Sequence, residues 1–243
     1  MGGFFGAVSA NDCILDVFYG TDYHSHLGTR RGGMTSYSAE LGFQRNIHSI
    51  ENSPFRTKFE KDVEKMRGNI CIGCISDTDP QPIMVRSKLG LYAVCSIGII
   101  QNAKALSEEL LENGCANFET MSSGNINSGG LIGALIAQKP TFVEGIRYAQ
   151  SKIEGTMSLV IMTEDSIICA RDKAGKLPIL IGKRSDGYCF SFESFAYQKL
   201  GYETCHELKA GEITKLTKDG YEVLYEGTDE MKICTFLWTY YGY

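Results

Sequence analysis

The chain has 243 residues, 43% of them apolar and 22% charged, with a formal net charge of −5. That length gives one large domain or two small ones with a substantial core, and the acidic balance without a Lys/Arg block excludes nucleic acid and anionic membrane as expected partners. No apolar run approaches the ~20 residues of a membrane helix, and the odd set of nine cysteines, mostly in apolar runs (Cys71, Cys95, Cys169, Cys189), points to reduced, buried thiols and a cytoplasmic setting.

The opening stretch MGGFFGAVSA reads as a strand. With the initiator methionine removed, Gly2 becomes its first residue, buried near something that tolerates no side chain. Asp22, His24 and His26 follow on one short segment without a further cluster, so they read as structural and no metal is expected. Residues 55–67 place Phe55, Phe59, Val63 and Met66 on one helical face. Cys71-Ile-Gly-Cys74 fits a C-x-x-C spacing, but it lies in a strand-like run with no second pair. Residues 102–114 read as a helix with Asn102 as candidate N-cap and Gly114 as its stop. A short helix is expected from about Gly130 to Ala137, and another over 141–153.

From Thr156 onward the chain reads as strands, with Asp186-Gly187 and Asp219-Gly220 marking hairpins. Amphipathic helices interposed among hairpin-forming strands predict an α+β fold of antiparallel sheets layered with helices. The final run, FLWTYYGY, reads as an apolar strand-like segment expected to pack on its own sheet, a second domain or another subunit.

Several segments carry a resemblance in order: MGGFFGAVS, LGTRRGGMTSYS, GNICIG, LGLYAVCSIGIIQNAKAL, GLIGALIA, EGTMSLVIMTEDSIICARDKAGKLPILIGK, GYCFSFES and LKAGEITKLTKDG. The succession is similar to class II glutamine amidotransferase domains, which are N-terminal-nucleophile hydrolases. It is most like the glutaminase half of the amidophosphoribosyltransferase family of purine synthesis. The resemblance spans essentially residues 1–243. It implies a four-layer α/β/β/α sandwich of two antiparallel sheets, no cofactor, and a phosphoribosyltransferase-like domain beginning just beyond this segment.

The positions that carry the family's chemistry depart from its pattern. Active members have a cysteine at the second residue, whose thiolate attacks the glutamine amide beside its own free amine; here that position is Gly2. The family's His-Arg-Gly-Gln reads Arg30-Arg31-Gly32-Gly33. Its His-Val-Arg-Tyr-Ser, whose arginine holds the substrate carboxylate, reads Cys74-Ile75-Ser76-Asp77-Thr78. Asp77 would bring a like charge close to that carboxylate. The oxyanion-hole His-Asn-Gly-Asn reads Ser96-Ile97-Gly98-Ile99, and the Ser-Asp-Thr-Glu run whose acid meets the substrate amine reads Asn127-Ser128-Gly129-Gly130. Loss of one oxyanion donor costs about 10²–10³ in kcat, and loss of a nucleophile on the order of 10⁶. No catalytic residue is therefore expected, with Gly2, Ile97 and Gly98 as degenerate catalytic positions. Arg31, Gly32, Ser76, Asp77, Ser128 and Gly129 mark the former substrate-binding positions.

The expected function is a glutaminase-type domain that does not hydrolyse glutamine and serves a structural, oligomerising or ligand-sensing role. The alternative is an enzyme, either a phosphoribosyltransferase partner using free ammonia or a pocket re-purposed around Arg30, Arg31, Asp77, Asp79, His24 and His26. The expected partners are the downstream phosphoribosyltransferase-like domain or a homo-oligomer. Arg30-Arg31 beside two glycines offers a place for a small anionic ligand.

Overall fold

A computed structural model describes residues 2–114, 118, 124–232 and 234–241. The first half contains β1 (Gly2–Ser9), α1 (Ile14–Tyr23), β2 (Arg31–Ser38), β3 (Gly42–Ser49), α2 (Phe55–Val63), β4 (Ile70–Ser76), β5 (Ile83–Ser87), β6 (Gly90–Ile100) and α3 (Ala103–Glu112). Then come α4 (Ser128–Ala137), α5 (Phe142–Lys152), β7 (Gly155–Met162), β8 (Ile167–Ala170), β9 (Leu180–Arg184), β10 (Gly187–Ser191) and α6 (Ser194–Gln198). The chain closes with β11 (Glu203–Glu207), β12 (Ile213–Leu216), β13 (Tyr221–Tyr225) and α7 (Thr235–Tyr241).

The strands form two sheets, in the orders β11-β9-β10-β1-β4-β2-β3 and β13-β12-β8-β7-β6-β5, and every neighbouring pair is antiparallel. Strand alternation sorts the core into three slabs. Phe4, Val8, Ile72 and Cys74 of the first sheet meet Ala93, Cys95, Val160 and Met162 of the second. Phe5, Ala7 and Cys71 point the other way, against Val17 and Phe18 of α1 and Phe55 and Phe59 of α2. Val94, Leu159 and Ile161 back onto Leu106 of α3, Leu131 and Leu135 of α4, and Ile146 and Ala149 of α5. The result is the expected α/β/β/α sandwich. Cys71 and Cys74 lie on opposite faces of β4, so their spacing brings no pair together.

Both hairpins form as expected, β9–β10 around Asp186 and β12–β13 around Asp219. Two element readings change, and one helix had no reading in the sequence. Ile14–Tyr23 is a helix, with Ile14, Val17, Phe18 and Thr21 buried at helical spacing despite an internal glycine. The stretch after Thr156 includes α6 and α7 as well as strands, so the aromatic terminal run is helical through Tyr241, and residues 242 and 243 lie outside the described residues. Asn102 stands at the start of α3 but makes no cap bond. Its side chain instead donates to Lys152 O (2.9 Å) and accepts from Glu154 N (3.0 Å), tying α3 to the end of α5. At α5 the capping pattern does form, with Thr141 Oγ1 accepting from Glu144 N (3.2 Å).

Candidate active-site cavity

The last residue of β4, Ser76, pairs with Gly2 of β1 on one side and with Arg31 of β2 on the other. Three of the candidate positions thus form one row across the end of the first sheet. Ile97, on β6 of the second sheet, faces that row. A Cβ placed on Gly2 would lie 2.4 Å from the Ile75 carbonyl oxygen and 3.0 Å from Ile97 Cδ1. A side chain at position 2 therefore needs the Ile75 main chain to shift, and glycine itself brings no nucleophile.

A cavity of about 390 Å³ sits at this end of the sandwich. Ser76 and Thr78 form one side, and Ser96, Ile97, Gly98 and Ile99 of β6 form another. Thr156, the Lys176-Leu177 loop, and Cys234, Phe236 and Leu237 at α7 complete it. A much smaller adjoining cavity shares Thr78, Ser96, Gly98 and Thr156 and reaches Asp79 and Ser128. A groove of about 500 Å³ between α1 and α2 contains none of the candidate positions.

Local hydrogen bonds fix the shape of the site. Ser76 Oγ accepts from the N–H groups of Thr78 and Asp79, both at 3.2 Å, so it caps a turn where the resemblance places a carboxylate clamp. Asp77 turns away from the cavity wall, and its Oδ1 accepts from Thr29 N at 2.7 Å. Burial acts to raise its carboxyl, but hydrogen bonds, the Thr29 and Arg30 N–H groups among them, outweigh it and hold the group below its ordinary value. The Gln81 amide brackets Ser96 of β6, donating to its carbonyl (2.9 Å) and accepting from its N–H (2.6 Å), which extends the sheet edge beside Ile97.

Asn127 Oδ1 accepts from Gly129 N (2.9 Å) and Gly130 N (3.3 Å), and Asp79 Oδ2 accepts from Ser128 N (3.2 Å). Together they satisfy the start of α4. Helix α4 thus begins at Ser128, two residues before the expected start. Ser128 lines the small cavity, while a Cβ on Gly129 would face Ile83.

Gly32 and Gly33 do not reach the cavity. A Cβ on Gly32 would point into Phe55, and one on Gly33 would stand 1.7 Å from the Gln81 carbonyl oxygen. The space where the family pattern has a glutamine side chain is filled by main chain.

The histidines have separate partners. His24 is fully buried, with Nδ1 2.7 Å from Gly20 O and Nε2 3.1 Å from Ser191 Oγ. Burial lowers its pKa to about 4. His26 pairs with Glu193 at 2.9 Å, and Asp22 with Arg56 at 2.6 Å. These residues hold α1 and the following turn in place.

Sequence reasoning missed Thr156, Lys176, Leu177, Cys234, Phe236 and Leu237 as parts of the cavity. Lys176 sits in a loop with Lys173, where a cation ordinarily reads as solvated. The α7 residues became visible only once their run proved helical.

Two antiparallel sheets between helix layers, with the first strand central and its tip paired to Ser76 of the cavity wall, define the class: an N-terminal-nucleophile hydrolase fold of the class II glutamine amidotransferase kind. Residues 66–198 match the profile of the glutamine amidotransferase domain, and the chain belongs to that family. It is 24% identical to an amidophosphoribosyltransferase of Synechocystis, over 99% of this chain and 50% of that one. It is 32% identical to that of Staphylococcus epidermidis over 82% of this chain and 38% of the other. The solved glutamine phosphoribosylpyrophosphate amidotransferase of B. subtilis, in complex with ADP and GMP, superimposes with a TM-score of 0.85 at 23% identity, over 99% of this chain and 53% of that one. The chain spans about half the length of the curated relatives it matches. Among the described residues no helix is long and apolar enough to cross a membrane.

Proposed function

We propose that this chain is an amidophosphoribosyltransferase-like glutaminase domain that does not hydrolyse glutamine and acts as a structural and ligand-sensing unit beside a phosphoribosyltransferase-like region. The observation that carries the reading is the closure of position 2. Gly2 supplies no nucleophile, and the Ile75 carbonyl and Ile97 side chain occupy the space a cysteine side chain would need. Ile97 supports it by offering no amide donor to an oxyanion, a deficit of about 2.7–4 kcal/mol on its own. Ser76, engaged as a turn cap, offers no bidentate cation. The phosphoribosyltransferase-like neighbour rests on the names and the double length of the relatives.

The test is ammonia release. The purified protein in millimolar glutamine releases none above a protein-free control, and a glutamine-derived electrophile leaves the cavity unlabelled. A Gly2→Cys variant with Met1 removed gains little or no turnover, because the carbonyl at Ile75 and the apolar Ile97 remain. Robust turnover by wild type or by that single variant refutes the reading.

A further inference from the structure

We propose that the cavity binds a small monocarboxylate with a branched apolar body, its carboxylate held by Lys176. This deepens the ligand-sensing reading above and rests on it. The wall supplies Ile97, Ile99, Leu177, Phe236 and Leu237 for an apolar body, and no acidic residue among the described ones lines it. A free ammonium placed there would be desolvated without a counter-charge, so amino acids are disfavoured. The nearest acid in the adjoining small cavity, Asp79, is 3% exposed and accepts from Ser128 N at the start of α4. Its charge faces the positive end of that helix.

Among the described residues Lys176 is the one cation in the wall, and it makes no ion pair with any of them. Its loop is fixed before any ligand arrives. The buried Asp172 carboxylate accepts from Ala174 N (2.9 Å) and Leu177 N (3.3 Å). The Asp172 carbonyl accepts from Gly175 N (2.9 Å), and the buried Arg171 donates to Gly175 O (2.9 Å). An exposed lysine on so constrained a loop loses little freedom when it closes on an anion.

The Thr156 hydroxyl can complete the anion's shell. Thr156 Oγ1 accepts from Ile99 N (3.4 Å), which leaves its proton to donate. A volume of about 390 Å³ lies at the lower end of small-ligand sites.

Titration calorimetry or protein-observed NMR on the purified chain tests this with 4-methylpentanoate, leucine, 4-methylpentanamide and glutamine. Leucine is the first probe with an ammonium added, and the amide is the first with its charge removed. Saturable binding of 4-methylpentanoate is expected, with leucine, glutamine and the amide each about tenfold weaker or worse. Lys176→Gln, at an exposed position, should weaken the carboxylate about tenfold and leave the amide unchanged. Absence of carboxylate binding, leucine binding as tightly as its deaminated analogue, or indifference to Lys176→Gln each overturns the proposal. Ammonia measured in the glutamine samples separates the two levels. Its release refutes the non-hydrolytic reading, whereas a lack of carboxylate binding without ammonia refutes only the ligand.

Discussion

Gly33 sits on β2 beside the Gln81 carbonyl, where a Cβ would come within 1.7 Å of that oxygen and 2.9 Å of the Pro82 ring. The neighbours are main chain and a ring, so neither can swing aside as a flexible side chain would. Gly33→Ala is expected to destabilise the protein by at least about 2 kcal/mol, read as a lower denaturant midpoint at unchanged slope. Gly42, with nothing within 4 Å of its Cβ position, serves as the contrast for crowding, although its φ of +66° carries its own cost for a side chain. At this scale the sequence was legible where segment order located a residue. Gly2, Ser76, Arg31 and Ile97 do converge on one end of the sandwich. It was not legible for Asp77, because odd and even positions at the end of β4 face different surroundings. Ser76 and Thr78 line the cavity while Asp77 turns to Thr29.

Helix α4 depends on Asn127, which is fully buried and serves the structure twice. Its Oδ1 caps the Gly129 and Gly130 N–H groups, and its Nδ2 donates to Pro80 O at 3.2 Å. Asn127→Ala should cost about 1–2 kcal/mol from the cap alone, with the Pro80 carbonyl losing its partner as well, and chemical denaturation measures it. The helices over 55–67, 102–114 and 141–153 were legible because their apolar residues recur at helical spacing and polar residues fill the other faces. Helix α1 was not, since Val17, Phe18, Tyr19, Gly20 and Thr21 are weak helix formers and packing on β1 and β4 overrides their propensity. Helix α7 was misread because every residue in it but Thr235 and Thr239 is apolar or aromatic, which erases the polar face that marks a helix's period. In the fold Leu237 is buried while Phe236, Trp238 and Tyr240 stand exposed.

The stability of the whole molecule carries the mark of a buried imidazole. His24 has an ordinary value of 6.5 lowered to about 4, chiefly by burial, with the Gly20 carbonyl and Glu193 acting in the opposite direction and His26 in the same one. The folded protein thus keeps His24 neutral where the unfolded chain takes up a proton. Stability is complete above about pH 6.5 and falls as the pH drops from there toward 4, by roughly 3 kcal/mol in all from this group. Urea midpoints measured between pH 7 and pH 4.5 should decline. The decline should be shallower in His24→Gln, whose amide does not titrate. An equal slope in the two proteins would remove His24 as its source.

The carbonyls that close positions 2 and 33 also bear on which substitutions this chain can accept. Point substitution explores side chains one at a time, whereas the obstacle at both positions is backbone: Ile75 at one, Gln81 at the other. Placing a cysteine at position 2 or a glutamine at position 33 must first displace a strand end or a loop, so the first variant on that route is worse at folding before it is better at anything. Selection acting on single changes will therefore hold both glycines whether or not the cavity still has chemistry to do, and their persistence among close relatives would measure packing rather than activity.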